Sequence, residues 1–186
     1  IYLIADEPYR ELVYGGAKAP YITKYYRNTV VCYSFSKCLS LPGERIGYIL
    51  VPDEAENSKE VFTAVCGAGR MLGFVCAPSM YQFVVRECVG KTADLSAYEK
   101  NRDLLVGTVE RLGFSCAKPD GAFYLFMKSP EPDAAAFCER AKKYELLFVP
   151  SDSFGFSGYV RIAYCVSHDM IERSIPAFEK LAKEYF

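Results

Sequence analysis

Two apolar runs of strand length, Ile1 to Ala5 and Val30 to Ser36, constrain this chain more than any other feature in it. Both are rich in β-branched and aromatic residues, and neither alternates cleanly between polar and apolar positions. That is the pattern of strands buried on both faces, as in a parallel sheet. A third run, Ile46 to Val51, stops at Pro52.

Between and after these runs the reading becomes helical. One helix is expected from Asp53 to about Leu72, and Ala77-Pro78 opens a second that runs to about Cys88. Asp94 to Leu112 is the clearest helix, with Leu95, Tyr98, Leu104, Leu105, Val109 and Leu112 near helical spacing, and Gly113 ends it. Beyond it, strands at Phe114–Ala117, Ala122–Met127, Leu146–Val149 and Tyr159–Tyr164 accompany helices at Asp133–Tyr144 and from Ser167 onward. Ser167 is the cap of the last helix and Asp169 lies in its first turn. The pattern is α/β, divided near the long helix into residues 1–95, with three strands, and an α+β part, residues 96–186. Tyr124 and Phe126 read as core strand residues, Gly67-Ala68-Gly69 as a helix irregularity, and His168 as the decoration of a helix start.

Composition excludes several classes of function. With 51% hydrophobic and 24% charged residues, the 186-residue chain is of ordinary globular type. Its 22 Lys and Arg balance 23 Asp and Glu, leaving no broad basic field for nucleic acid or an anionic membrane. The longest apolar stretch, Met71 to Val85, is broken by Pro78, Ser79 and Gln82, so no membrane span is expected. The opening IYLIADEPYR has no basic lead or cleavage pattern, and it begins on a strand without an initiator Met, as a piece of something longer would. Eight cysteines, at 32, 38, 66, 76, 88, 116, 138 and 165, form no CxxC pair, and His168 is the single histidine. No metal site is expected from that spacing. Reduced thiols are expected, most of them small core hydrophobes, in a cytoplasmic protein.

In open α/β sheets, ligands lie beyond the carboxyl ends of the strands. Asp6 follows the first run and Lys37 the second. If the two strands are parallel neighbours, a carboxylate and an amine face one crevice. Taken singly, a strand-end Asp usually caps a turn and a lone Lys is usually solvated. Arg161 sits in an apolar strand and needs either exposure or an anionic partner.

Four segments in order change that weighting: DEPYRELVY, SFSKCLSLPGERIGY, PDGAFYLF and FGFSGYVRIAYC. Together they resemble the fold-type I pyridoxal-phosphate (PLP) aminotransferases of class I/II, the aspartate aminotransferase superfamily. The resemblance implies PLP as cofactor, bonded covalently through its aldehyde to Lys37, which would also shuttle a substrate proton. Asp6 would pair with the pyridine nitrogen and Tyr9 with the phenolic oxygen, while Ser34 and Arg45 would hold the phosphate. Ser36 is a further phosphate candidate whose alternative is local backbone bonding. Arg161 would receive the substrate α-carboxylate.

Members of this family are about twice as long, so the resemblance implies the C-terminal part of the major domain, three strands of its central sheet with helices, followed by the small domain. Amino-group transfer between an amino acid and a 2-oxo acid is then the expected activity, by a piece insufficient for it alone. An effector-sensing module or a C–S β-lyase of the same fold is the alternative. Exposed apolar faces would drive homodimerisation or association with an N-terminal half.

Overall fold

Leu3–Asp6 forms β1 and Thr29–Ser34 forms β2, and the two pair in parallel with Asp6 opposite Cys32. These belong to a computed structural model that describes residues 1–186 and divides into two compact units, Ile1–Ala93 and Asp94–Phe186. In the first unit β2 ends where Ser34 caps a single turn, α1 (Phe35–Cys38), accepting a hydrogen bond from the Ser36 N–H. The predicted second strand therefore stops two residues early.

The third strand, β3 (Gly47–Leu50), returns antiparallel to β2, with Ser34 opposite Gly47. The sheet is mixed rather than parallel, because the short connection through residues 35–46 cannot make the crossover that a parallel partner needs. Burial on both faces also fails for the outer strands. Thr29 and Val31 of β2 are buried, whereas Ile4 of β1 is 71% exposed and every residue of β3 is exposed. Their apolar character suits surfaces for which this unit supplies no cover. Two helices follow, α2 (Ser58–Met71) and α3 (Ser79–Cys88). Asn57, at positive φ, delays α2 beyond its predicted start, and Gly67 to Gly69 lie within it without interrupting it.

The second unit opens on Asp94, whose carboxylate caps α4 (Leu95–Arg111) through the Ser96 N–H. Strands β4 (Cys116–Ala117), β5 (Tyr124–Lys128), β6 (Val149–Pro150) and β7 (Tyr159–Ala163) form an antiparallel sheet in the order β4-β5-β7-β6. The remaining helices, α5 (Ala134–Lys142) and α6 (His168–Ala182), are capped by Asp133 and Ser167. Leu105 and Val109 of α4, Phe137 of α5 and Leu181 of α6 are buried with Leu125, Met127 and Val160 of the sheet.

That packing reverses one expectation. Leu125 and Met127 are the inward residues of β5, so Tyr124 and Phe126 stand on the opposite, half-exposed face. His168 does begin a helix, and it is also tied in place: its Nδ1 lies 2.9 Å from Oδ1 of buried Asn101, whose Nδ2 donates to the Tyr164 and Val166 carbonyls. Of the eight cysteines, all free, only Cys38 and Cys138 are buried, so most are not core residues. An apolar neighbour in sequence does not bury a cysteine: Val31 and Tyr164 are buried, while Cys32 is half-buried and Cys165 exposed. No helix is long and apolar enough to cross a membrane.

Candidate functional site

Parallel pairing of β1 and β2 sends both strands toward the same edge of the sheet, and antiparallel β3 begins at that edge. Six of the seven sequence candidates therefore gather there: Asp6 at the end of β1, Tyr9 in the turn after it, Ser34, Ser36 and Lys37 at the end of β2 and on α1, and Arg45 just before β3. Arg161 belongs to the second unit.

The turn after β1 is anchored from both sides. The Glu7 N–H donates to the Cys32 carbonyl at 2.9 Å, and the Leu12 N–H closes back on Tyr9 at 2.9 Å, with Leu12 fully buried. Glu7 pairs with Arg10, both nearly buried, and the Arg10 guanidinium lies 3.4 Å from the Tyr21 ring centroid. Tyr9 is thereby fixed beside α1, and Lys37 Nζ stands 5.7 Å from its ring centroid. Asp6 is exposed at the strand end, and its carboxylate has no hydrogen bond or ion pair within the chain.

Ser34 and Ser36 form a hydroxyl pair, Ser34 Oγ donating to Ser36 Oγ at 2.8 Å. Ser36 is buried, and its side chain bonds the Ser34 hydroxyl rather than backbone; the local backbone bond of its alternative reading is made by the Ser34 side chain instead. Arg45 adopts a positive φ of 53° and is exposed, its Nη1 donating to the Pro42 carbonyl at 2.8 Å. A non-glycine residue held in the left-handed region is locally strained, and such strain clusters at binding sites. Nε and Nη2 of Arg45 remain for an anion. A half-buried amine, an unpaired carboxylate, a tyrosine, a hydroxyl pair and a guanidinium on one edge fit the donor set of a phosphorylated pyridine aldehyde.

Behind α1, the Tyr33 hydroxyl donates to Glu11 Oε2 at 2.8 Å and lies 3.1 Å from Cys38 Sγ. Burial first, and then these two partners, push the Tyr33 phenol well above its ordinary range, and burial likewise raises the Cys38 thiol. Both stay protonated at neutral pH, so this cluster braces α1 rather than titrating.

Sequence reasoning missed Gly47. A Cβ there would collide with the Tyr33 carbonyl oxygen and fall 3.1 Å from Ser34 Cα, so only glycine lets β3 approach β2 at the residue that caps α1. It missed the surroundings of Arg161 as well. On β7 Arg161 shares the half-exposed face with Tyr159 and Ala163, and its guanidinium carbon is 4.5 Å from the ring centroids of both Tyr124 and Phe154. Register places Phe126 directly across from Arg161, so the alternation of Tyr124 and Phe126 was the available signal.

A family model described as aminotransferase class I and II matches residues 1–178. A crystal structure of an amino transferase from Eubacterium rectale superimposes with a TM-score of 0.96 at 59% identity, covering 100% of this chain and 46% of that one. A probable aspartate/prephenate aminotransferase of Aquifex aeolicus is 29% identical over 207 residues, 99% of this chain and 50% of its own length. Aromatic-amino-acid aminotransferase 2 of Thermococcus litoralis is 26% identical over 197 residues, 98% of this chain and 49% of its own. The chain spans about half the length of the curated relatives it matches.

Proposed function

Because the chain belongs to the aminotransferase class I and II family, we propose that it carries the lysine-bearing half of a PLP-dependent aminotransferase, transferring an amino group between an amino acid and a 2-oxo acid. The observation that carries this reading is the parallel pairing of β1 and β2, which sets Asp6 and Lys37 at one sheet edge with Lys37 Nζ 5.7 Å from the Tyr9 ring. In this reading the first unit is the partial large domain and the second the small domain. Aspartate with 2-oxoglutarate is the default substrate pair, and the relatives named for aspartate, prephenate and aromatic amino acids support an acidic or aromatic substrate.

Bound PLP supplies a pyridine ring that accepts the electron pair left at a substrate α-carbon. The chain supplies the rest. Lys37 Nζ would anchor the cofactor covalently and, once released, would carry the proton between the substrate α-carbon and the cofactor's former aldehyde carbon. Asp6 would accept a hydrogen bond from the ring N–H, which would keep that nitrogen protonated, and Tyr9 Oη would donate to the phenolic oxygen. The free donors of Arg45 would hold the phosphate, together with Ser34 once its hydroxyl proton turns from Ser36 Oγ to a phosphate oxygen. Arg161 receives the α-carboxylate.

Replacing Arg45 with alanine is expected to weaken PLP binding by about tenfold, the value of roughly one charge-assisted hydrogen bond. Absorbance titration of the chain checks this, with inorganic phosphate as competitor. Equal affinity in both proteins, or no competition by phosphate, would remove Arg45 from the site.

The exposed apolar residues of β1, α2 and α3, among them Ile4, Phe62 and Phe83, support association with a second copy or with the half of the family fold that the chain does not span. Alone at micromolar concentration, the chain is expected to sediment as a dimer or larger, and Ile4→Lys to shift it toward monomer. A monomer at all concentrations would refute self-association.

A further inference from the structure

Resting on the reading of Arg161 as the carboxylate receiver, we propose that Tyr124 and Phe154 are positioning residues that hold its guanidinium for a planar anion. Arg161 is half-buried, yet its guanidinium has no hydrogen bond or ion pair within the chain. What it does have is two rings, Tyr124 from β5 and Phe154 from the 3-10 turn Ser151–Phe154, each with its centroid 4.5 Å from the guanidinium carbon. Two contacts at equal distance, from elements far apart in sequence, restrict the guanidinium while consuming none of its donors.

Neither ring is placed by chance. Tyr124 is fixed by the β5–β7 ladder, where it pairs with Ala163, two residues beyond Arg161 and on the same face. Phe154 is brought in by the turn itself. Ser151 is fully buried, its hydroxyl accepts the Tyr159 N–H at 3.1 Å, and Gly155 at a φ of 78° reverses the chain directly after Phe154. Phe154 is 48% exposed, and its ring stands against Arg161 rather than in the core.

Chemically, the arrangement selects its ligand. A carboxylate is planar and accepts two parallel N–H bonds from a guanidinium held in one plane. A freely rotating arginine must lose that motion on binding, and the rings remove it beforehand. With the two rings as its contacts, the guanidinium keeps its N–H donors for the carboxylate.

The test uses the 186-residue chain with arginine side chains labelled for NMR, following the Arg161 Nε–H signal during titration with propionate. Phe154→Leu and Tyr124→Leu are each expected to weaken propionate about fivefold, to speed rotation about Arg161 Nε–Cζ, and to leave the methyl shifts of buried Val160 and Ile162 unchanged. Phe154→Tyr, which keeps a ring, is expected to retain affinity and slow rotation. Arg161→Gln should abolish the response.

Leucine variants that bind propionate and rotate as the parent does would overturn the positioning role and leave Arg161 as the receiver. An Arg161 signal indifferent to propionate in the unsubstituted chain would overturn both. Loss of binding in Phe154→Tyr as well as Phe154→Leu would show that shape rather than ring stacking matters, and would also overturn the proposal.

Discussion

Substitution of Lys37 by alanine is expected to eliminate covalent capture of PLP. Incubation of the chain with PLP, borohydride reduction and peptide mapping should place the dominant phosphopyridoxyl-lysine on the peptide containing Lys37, and the variant should show none there. The expectation does not follow from amine chemistry alone, since any exposed lysine reacts with an aldehyde to some extent. It follows from position. Lys37 is half-buried on α1 beside Tyr9, and the same sheet edge carries the Ser34–Ser36 hydroxyl pair and Arg45.

A phosphate held at that edge raises the local concentration of aldehyde at Nζ far above its value in solution. Labelling of Lys37 at least about tenfold above any other lysine is the result that this proximity predicts. Alanine is a good helix former and Lys37 lies in the last turn of α1, so the variant should fold. Uniform labelling of lysines, unchanged by the substitution, would mean that the edge holds no cofactor.

How far the sequence carried varies from residue to residue, and the reasons are physical. Asp6 and Lys37 were legible because strand ends follow from local composition, and the parallel pairing of β1 with β2 then leaves a single arrangement of the two. The exposure of β1 and β3 was not, since an apolar run records what a strand should pack against and says nothing about whether that cover lies in the chain. Tyr124 and Phe126 show a different limit. Alternation divides β5 into two faces, but which face turns inward is settled by where α4, α5 and α6 pack, and they bury Leu125 and Met127.

Asn101 was invisible for a related reason: it is one polar residue in an amphipathic helix, and its value comes from carbonyls of Tyr164 and Val166, over sixty residues away. The Arg161 pattern lay between these cases. An arginine in an apolar strand called for exposure or an anionic partner, and the rings that flank it come from the neighbouring strand and from a turn that composition alone does not place.

Gly47 is the position where the smallest change should do the most damage. Gly47→Ala adds one carbon against backbone atoms of β2, the Tyr33 carbonyl above all, and backbone cannot rotate away as a side chain could. Either β3 lifts off β2 or β2 shifts, and each breaks the register that sets Ser34 opposite Gly47 and the hydrogen bond from Phe35 N–H to the Ile46 carbonyl. The expected cost is about 3 kcal/mol, with a melting midpoint lower by roughly 10 °C.

Gly43→Ala is the matched control, since a Cβ there meets nothing within 4 Å and its φ is not positive, so it should change stability by less than about 0.5 kcal/mol. Thermal unfolding by circular dichroism compares the two. A second readout links fold to site: below its melting transition, Gly47→Ala should also show weakened PLP labelling of Lys37, because α1 hangs from the displaced end of β2. Equal midpoints for the two alanine variants would mean that the sheet relaxes freely around position 47. Normal labelling in a destabilised Gly47→Ala protein would separate the geometry of α1 from the strand pairing it adjoins.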